Sequence, residues 1–145
     1  MKTVEEIRTG DMVHVCYREY TPFICDEDHL RVFLYKTVFG QYAVQRLSES
    51  LSPNCIEEMS ICVNMVHNRS VLETVPHNKY QTGTLIKYKI WTGVGFTEEI
   101  KGVYLYDNSA RRHTVQSIEE YEKGTTNSIV ILSIKEMETV HLVTS

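Results

Sequence analysis

Val103-Tyr-Leu-Tyr106, followed across a polar turn by Thr114-Val-Gln-Ser-Ile118, has an earlier counterpart in the same chain. The counterpart is Val32-Phe-Leu-Tyr35 followed by Ala43-Val-Gln-Arg-Leu47. Aligned without gaps at an offset of 71, Val32–Glu49 and Val103–Glu120 agree at Val, Leu, Tyr, Val, Gln and Glu. Phe33/Tyr104 and Leu47/Ile118 differ conservatively. Upstream, at an offset of 73, Thr9-Gly10-Asp-Met-Val13 answers Thr82-Gly83-Thr-Leu-Ile86. Similarity at a fixed period decides architecture before any other signal. The chain reads as two copies of one small β unit.

Outward from these strands the pattern repeats. Val13, Val15 and Tyr17 alternate with His14 and Cys16, and Ile86, Tyr88 and Ile90 alternate with Lys87 and Lys89, the period of half-buried strands. Short helical turns are expected over Val4–Arg8, over Pro53–Met59 behind a Ser52-Pro53 start, and over Ser117–Lys123 closed by Gly124. Each copy is expected to end in a hairpin, Ser60–Val66 with Val71–Val75 and Ser128–Ile134 with Met137–Val143. Pro76 marks the boundary, because it donates nothing to a ladder, and the repeats run over 1–76 and 77–145. Val13, Val15, Val32, Leu34, Val44, Ile61 and Val63 are expected in one core. Ile86, Tyr88, Val103, Leu105, Val115, Ile129 and Ile131 take the equivalent places in the other.

The 145 residues suffice for one domain or two small ones. With 42% apolar and 23% charged residues the composition is globular. No apolar run approaches a membrane span, and the acidic start Met1–Ile7 lacks the apolar segment of a signal peptide, so a cytoplasmic protein is expected. Residues 1–75 carry seven basic against eleven acidic side chains, and residues 76–145 carry eight of each. Neither half is basic, which disfavours non-specific duplex DNA. The short compact chain has the size of a viral or mobile-element accessory protein.

Five short strands with a helical turn in about 70 residues close readily into small barrels. The order of strand, long loop, two or three strands and a tight final pair resembles the SH3-like and Sm-like modules. Sm-type proteins place a Gly on the second strand, an Asp just after it and then an Asn that reads RNA bases. Gly102 and Asp107 sit near those places, one residue closer together, with Arg111 where the Asn would stand; the first copy has Arg31 and Lys36. The resemblance covers about Ile86–Val143 and implies a tandem barrel, with single-stranded RNA binding as one expectation.

Cysteines stand at 16, 25, 55 and 62 without a Cys-x-x-Cys pair. His14, Cys16, Cys25 and His29 form a weak zinc set whose spacing matches no standard finger, and Asp26–Asp28 lacks the alternation and glycine of a calcium loop. Nucleophile elbows, P-loops and zinc-protease motifs are absent, and neither His67 nor His113 has a nucleophile at a contact spacing. A non-enzyme without cofactor is expected. The strongest binding candidate is the turn Asn108, Arg111, Arg112 and His113, because adjacent guanidinium groups suit a phosphate or acidic partner. Trp91, the one tryptophan, shares a strand side with Lys87 and Lys89 and offers a stacking or anchoring face. The leading reading is a small regulatory protein that engages another macromolecule. Its alternatives are a receptor or sponge for a nucleotide-like anion, and a single-stranded RNA binder. The apolar edge Val140–Val143 is compatible with a homodimer.

Overall fold

A computed structural model describes residues 7–15, 30–46, 56–59, 63–70, 78–108 and 111–143. The chain divides into two compact units, Met1–Val75 and Pro76–Ser145. The first contains β1 (Asp11–Val15), β2 (Leu30–Lys36), β3 (Tyr42–Gln45), β4 (Glu57–Met59) and β5 (Val63–Ser70). The second contains β6 (Leu85–Tyr88), β7 (Ile100–Asp107), β8 (His113–Ser117), α1 (Ile118–Glu122), β9 (Ile129–Ile131), α2 (Ile134–Met137) and β10 (His141–Leu142). Each unit forms one five-stranded antiparallel sheet. The orders are β4-β3-β2-β1-β5 and, read the same way, β9-β8-β7-β6-β10.

The likeness extends to residue register. Met12 pairs with Val32 as Leu85 pairs with Val103. Val32, Phe33 and Tyr35 pair with Gln45, Val44 and Ala43, and Val103, Tyr104 and Tyr106 pair with Gln116, Val115 and Thr114. Both ladders skip at the same place, leaving Leu34 and Leu105 as bulged residues. A bulge removes a ladder position and threatens to orphan its carbonyl. In both units a threonine fills the gap: Thr9 Oγ1 donates to Leu34 O at 2.6 Å and Thr82 Oγ1 to Leu105 O at 2.6 Å. The next residue is glycine in each case. Gly10 and Gly83 lie at φ of 95° and 98° and donate their N–H to Phe33 O and Tyr104 O, each at 2.8 Å. An L side chain is strained at such φ, and at Gly83 a Cβ would also meet Tyr121 Oη at 2.7 Å.

The core differs from the expected one through the pleat. Val13, Phe33 and Val44 cluster, with Ile7 and Tyr42 against them. Ile86, Tyr88, Tyr104, Val115 and Leu132 form the counterpart, joined by Tyr80. Val32, Leu34, Val103 and Leu105 are buried too, but outside these clusters. Successive strand side chains alternate between faces, so Val32 cannot share a face with Phe33. Strands buried on both faces read as near-continuous apolar runs, which is the pattern of Val-Tyr-Leu-Tyr. Ile129 is buried but outside the cluster, and Ile131 is half-buried. The side chains of Val15, Ile61 and Val63 lie outside the described set.

Local expectations divide. Ser117 caps α1 through the Glu120 N–H, and Gly124 at φ 73° ends it. Of the expected helix Pro53–Met59, Glu57–Met59 is a strand instead: its backbone pairs with Tyr42–Val44, and ladder pairing overrides a short helix start. The second terminal hairpin does not form. β9 and β10 lie at opposite edges of their sheet, with α2 between them in sequence. Ser133 and Glu136 cap one another across the first turn of α2, so the chain coils where a hairpin turn was expected. In the first unit Val63–Val66 of the expected hairpin belongs to β5, which continues to Ser70 and pairs with β1, while 60–62 and 71–75 lie outside the described residues. Of the expected helical turn Val4–Arg8, Ile7 and Arg8 are not helical and 4–6 lie outside the described residues. No described helix is long and apolar enough to cross a membrane.

Thr82→Val keeps the shape of the side chain and removes the donor to Leu105 O. It is expected to lower stability in urea unfolding by about 1–3 kcal/mol, with Thr82→Ser restoring most of the loss. An unchanged midpoint in Thr82→Val would show that the bulge carbonyl needs no such donor.

Candidate functional site

The β7–β8 turn is a copy of the β2–β3 turn, bond for bond. Thr37 N donates to Gln41 O at 2.9 Å, Gly40 N to Thr37 O at 3.0 Å and Gln41 N to Thr37 Oγ1 at 3.1 Å. Asn108 N donates to Arg112 O at 2.9 Å, Arg111 N to Asn108 O at 2.9 Å and Arg112 N to Asn108 Oδ1 at 3.0 Å. Asn108 is therefore a buried turn-former rather than a ligand-facing amide. Gly40, at φ 79°, and Arg111, at φ 60°, occupy the same left-handed position. Glycine takes that conformation at no steric cost, whereas a residue with a Cβ loses about 1–2 kcal/mol there. The second copy thus holds an exposed arginine where its sister uses glycine.

Arg112 and His113 turn inward. Arg112 Nε donates to Leu132 O at 2.7 Å, tying the turn to the end of β9. The sequence offers no folding reason for two cations here, but the structure supplies one for Arg112. His113 is buried, with Nδ1 at 2.5 Å from Asp107 Oδ1. The Tyr104 hydroxyl and the Lys79 N–H also reach the Asp107 carboxylate, and Asp107 N donates to Asn78 Oδ1 at 2.9 Å. Burial, and next the Asp107 charge, push the Tyr104 hydroxyl far above the ordinary phenol range. The His113 ring stands edge-on to Tyr104 at 5.4 Å and to Tyr80 at 6.2 Å. The sister pair at these register positions is Lys36 and Tyr42, with the ammonium 5.6 Å from the ring centre and Tyr42 edge-on to Phe33 at 6.2 Å. Both copies close the hairpin with a cross-strand pair, so Asp107–His113 has a structural counterpart. No serine, cysteine or threonine oxygen or sulfur is hydrogen-bonded to His113 among the described residues.

Trp91 belongs to a different constellation. It bridges to Phe96 across Thr92–Gly95, held by Thr92 N to Gly95 O at 2.9 Å and Thr97 N to Ile90 O at 2.8 Å. The two rings meet edge-on at 5.0 Å, and Lys135 Nζ lies 4.1 Å over the indole. One face of the indole is therefore taken by a cation, which narrows its use as a stacking platform. At the tip, between two glycines, Val94 is 95% exposed; Trp91, Phe96 and Ile134 are 38%, 41% and 70% exposed.

Glu136 joins this hairpin to the arginine turn. Its carboxylate accepts from Ser133 N at 2.8 Å and from Trp91 N at 2.9 Å, and it feels the Arg112 charge. Burial alone would raise its pKa, but these donors and the cation together hold it below the ordinary value. Thr139 Oγ1 accepts from Lys89 N at 2.8 Å, pinning the same strand end to the turn after α2. Arg112, Trp91 and α2 are thus one assembly around one carboxylate. Lys87 is drawn to Glu99 at 3.8 Å, outside that assembly. Lys89 and Lys135 are exposed. Glu136, Ser133, Val94, Phe96, Ile134 and Lys135 are the contributors that strand patterning passes over. The Ser133-x-x-Glu136 capping signature was the available signal.

Among the described residues no cluster of three or more His, Cys, Asp or Glu could hold a metal. Cys16, Cys25 and His29, and the side chain of His14, lie outside those residues, as do Asp26–Asp28. Comparison with known families, curated proteins and solved structures returns no match, and the site is described by its geometry alone.

Arg111→Gly is expected to leave thermal stability unchanged or raise it by up to about 1 kcal/mol, since left-handed strain is relieved against a modest entropy loss. Arg112→Ala removes a charged donor from the Leu132 carbonyl and is expected to cost about 1.5–3 kcal/mol. Equal effects of the two changes in chemical unfolding would contradict this division of roles.

Proposed function

We propose that the protein is a non-catalytic binding and regulatory protein that engages a macromolecular partner through the second unit. The docking face is the Trp91–Phe96 hairpin with the neighbouring α2 turn. The observation that carries this reading is the joined exposure of Val94, Ile134, Phe96 and Trp91 on a frame braced by Glu136. Exposed apolar side chains gathered on a rigid scaffold are a common mark of a protein interface. In the same reading each sheet is a degenerate SH3-like or Sm-like module, with β5 and β10 beside the first strand of their units. The nucleotide-anion and RNA readings are less well supported. Asn108 and His113 are buried, Arg112 serves a backbone carbonyl, and Lys135 covers one indole face.

Val94→Asp alters a side chain with almost no contact and is expected to change stability by no more than about 0.5 kcal/mol. A photoreactive residue placed at position 95, where a Cβ meets nothing within 4 Å, is expected to crosslink a discrete partner from the native host, and Val94→Asp to abolish that product. Crosslinking indifferent to Val94→Asp would place the interface elsewhere. A thermal shift with nucleotides or short RNA oligomers, lost in Arg111→Gly but not in Val94→Asp, would favour the anion readings instead.

A further inference from the structure

Within the second unit, the exposed cations around the apolar hairpin are more specific than the hairpin itself. Arg111, Lys89 and Lys135 are all exposed, and among the described residues none has a carboxylate partner within ion-pair distance. Of the acids nearby, Glu136 and Glu99 are engaged, while Glu98 and Glu138 are exposed and have no ion-pair partner among the described residues. Glu136 is held by Ser133, Trp91 and Arg112, and Glu99 takes both Lys87 at 3.8 Å and His141 at 3.3 Å. Three cations without an ion-pair partner thus border the hairpin and the turn against two such acids, a local positive excess in a stretch, 76–145, that is neutral in sum. Arg111 adds a separate argument. Its backbone sits where the sister turn has Gly40, so the turn would form at lower cost without it. Strain of this kind is held by the surrounding turn and gathers at ligand-contacting sites.

Building on the docking face described above, we infer that its partner is a protein segment in which an apolar anchor is flanked by acidic residues. The anchor would lie against Val94, Phe96 and Ile134, and its carboxylates would meet Lys135, Lys89 and the Arg111 fork. Interfaces of this kind keep an apolar centre and a charged rim, with the rim setting choice of partner and association rate. Arg forks read carboxylates bidentately, which suits a short acidic motif. A long polyanion fits less well. The whole chain carries a net charge of −4, and Glu98, Glu119 and Glu138 are exposed in the same unit. A nucleic-acid strand or anionic bilayer would meet those acids as well, whereas a short segment can be confined between the three cations.

The full chain is titrated by fluorescence anisotropy against a labelled short peptide with a Leu-Phe pair between runs of Asp and Glu. Controls are a peptide with the acids changed to Gln, one with them changed to Lys, oligo-uridine, and vesicles containing phosphatidylserine. The acidic peptide is expected to bind about tenfold or more tightly than the Gln peptide, and the Lys peptide not at all. Val94→Asp should weaken acidic-peptide binding at least about tenfold, and Arg111→Gly or Lys135→Glu about three- to fivefold each, as rim charges do. Added salt should narrow the gap between the acidic and Gln peptides. Gln and acidic peptides binding alike, both sensitive to Val94→Asp, would overturn the acidic partner while leaving the docking face in place. Acidic-peptide binding insensitive to Val94→Asp and Arg111→Gly would overturn both. Oligo-uridine or vesicles binding more tightly than the acidic peptide, with sensitivity to Arg111→Gly, would replace a protein partner by a polyanion.

Discussion

The donor that each unit supplies to its bulged leucine is the interaction on which the architecture turns. A bulge on the second strand tightens the twist of the sheet but leaves the Leu34 or Leu105 carbonyl off the ladder. A threonine hydroxyl from the segment just before the first strand accepts that role, at 2.6 Å in both units. The adjacent glycine adds an N–H bond to the preceding residue of the same strand. Together they fix where the first strand begins, and so which of its residues face the cluster around Val13 or Ile86. Register follows from the clasp, because a slip of one residue would turn every side chain of the strand over.

With the frame repeated so closely, the differences between copies become informative. The hairpin end is closed by Lys36 over Tyr42 in one unit and by Asp107 with His113 in the other. These are two solutions to one cross-strand requirement. Arg111 is the opposite case, since it replaces Gly40 in a conformation that glycine occupies freely. Gly102 has also diverged, from the buried Arg31 of the first unit. A Cβ at Gly102 would stand 2.7 Å from Tyr88 Cε1 and 3.0 Å from Gln116 O, so the tyrosine ring lies directly on the strand. The second unit has specialised at its turn, its hairpin and α2, the places that border one another through Glu136.

Much of this was legible in the chain. The Val-x-Leu-Tyr and Thr-Gly echoes predict the duplication, and the alternation of Ile86 and Tyr88 with Lys87 predicts facing on β6. What alternation could not convey was that β2 and β7 are covered on both sides. A continuous apolar run carries no facing information, so the burial of Val32 and Leu34 is legible but the side of the sheet each takes is not. Arg111 and Trp91 stand out by residue type alone. The division of labour between Arg111 and Arg112 depends on where one guanidinium points, which spacing does not encode. The α2 turn was written in Ser133-x-x-Glu136, but apolar Ile129–Ile131 and Val140–Val143 mimic a hairpin and masked it.

The clasp is open to direct observation by hydrogen exchange of the native protein, read amide by amide with nuclear magnetic resonance. Gly10 and Gly83 each precede a strand, in a position where an ordinary turn amide exchanges freely. If the two units are copies built on one clasp, both amides exchange slowly, at rates comparable with the central-strand amides of Val32 and Val103. Fast exchange at Gly10 beside protection at Gly83, or fast exchange at both, would contradict a shared clasp and with it the reading of the chain as one unit used twice.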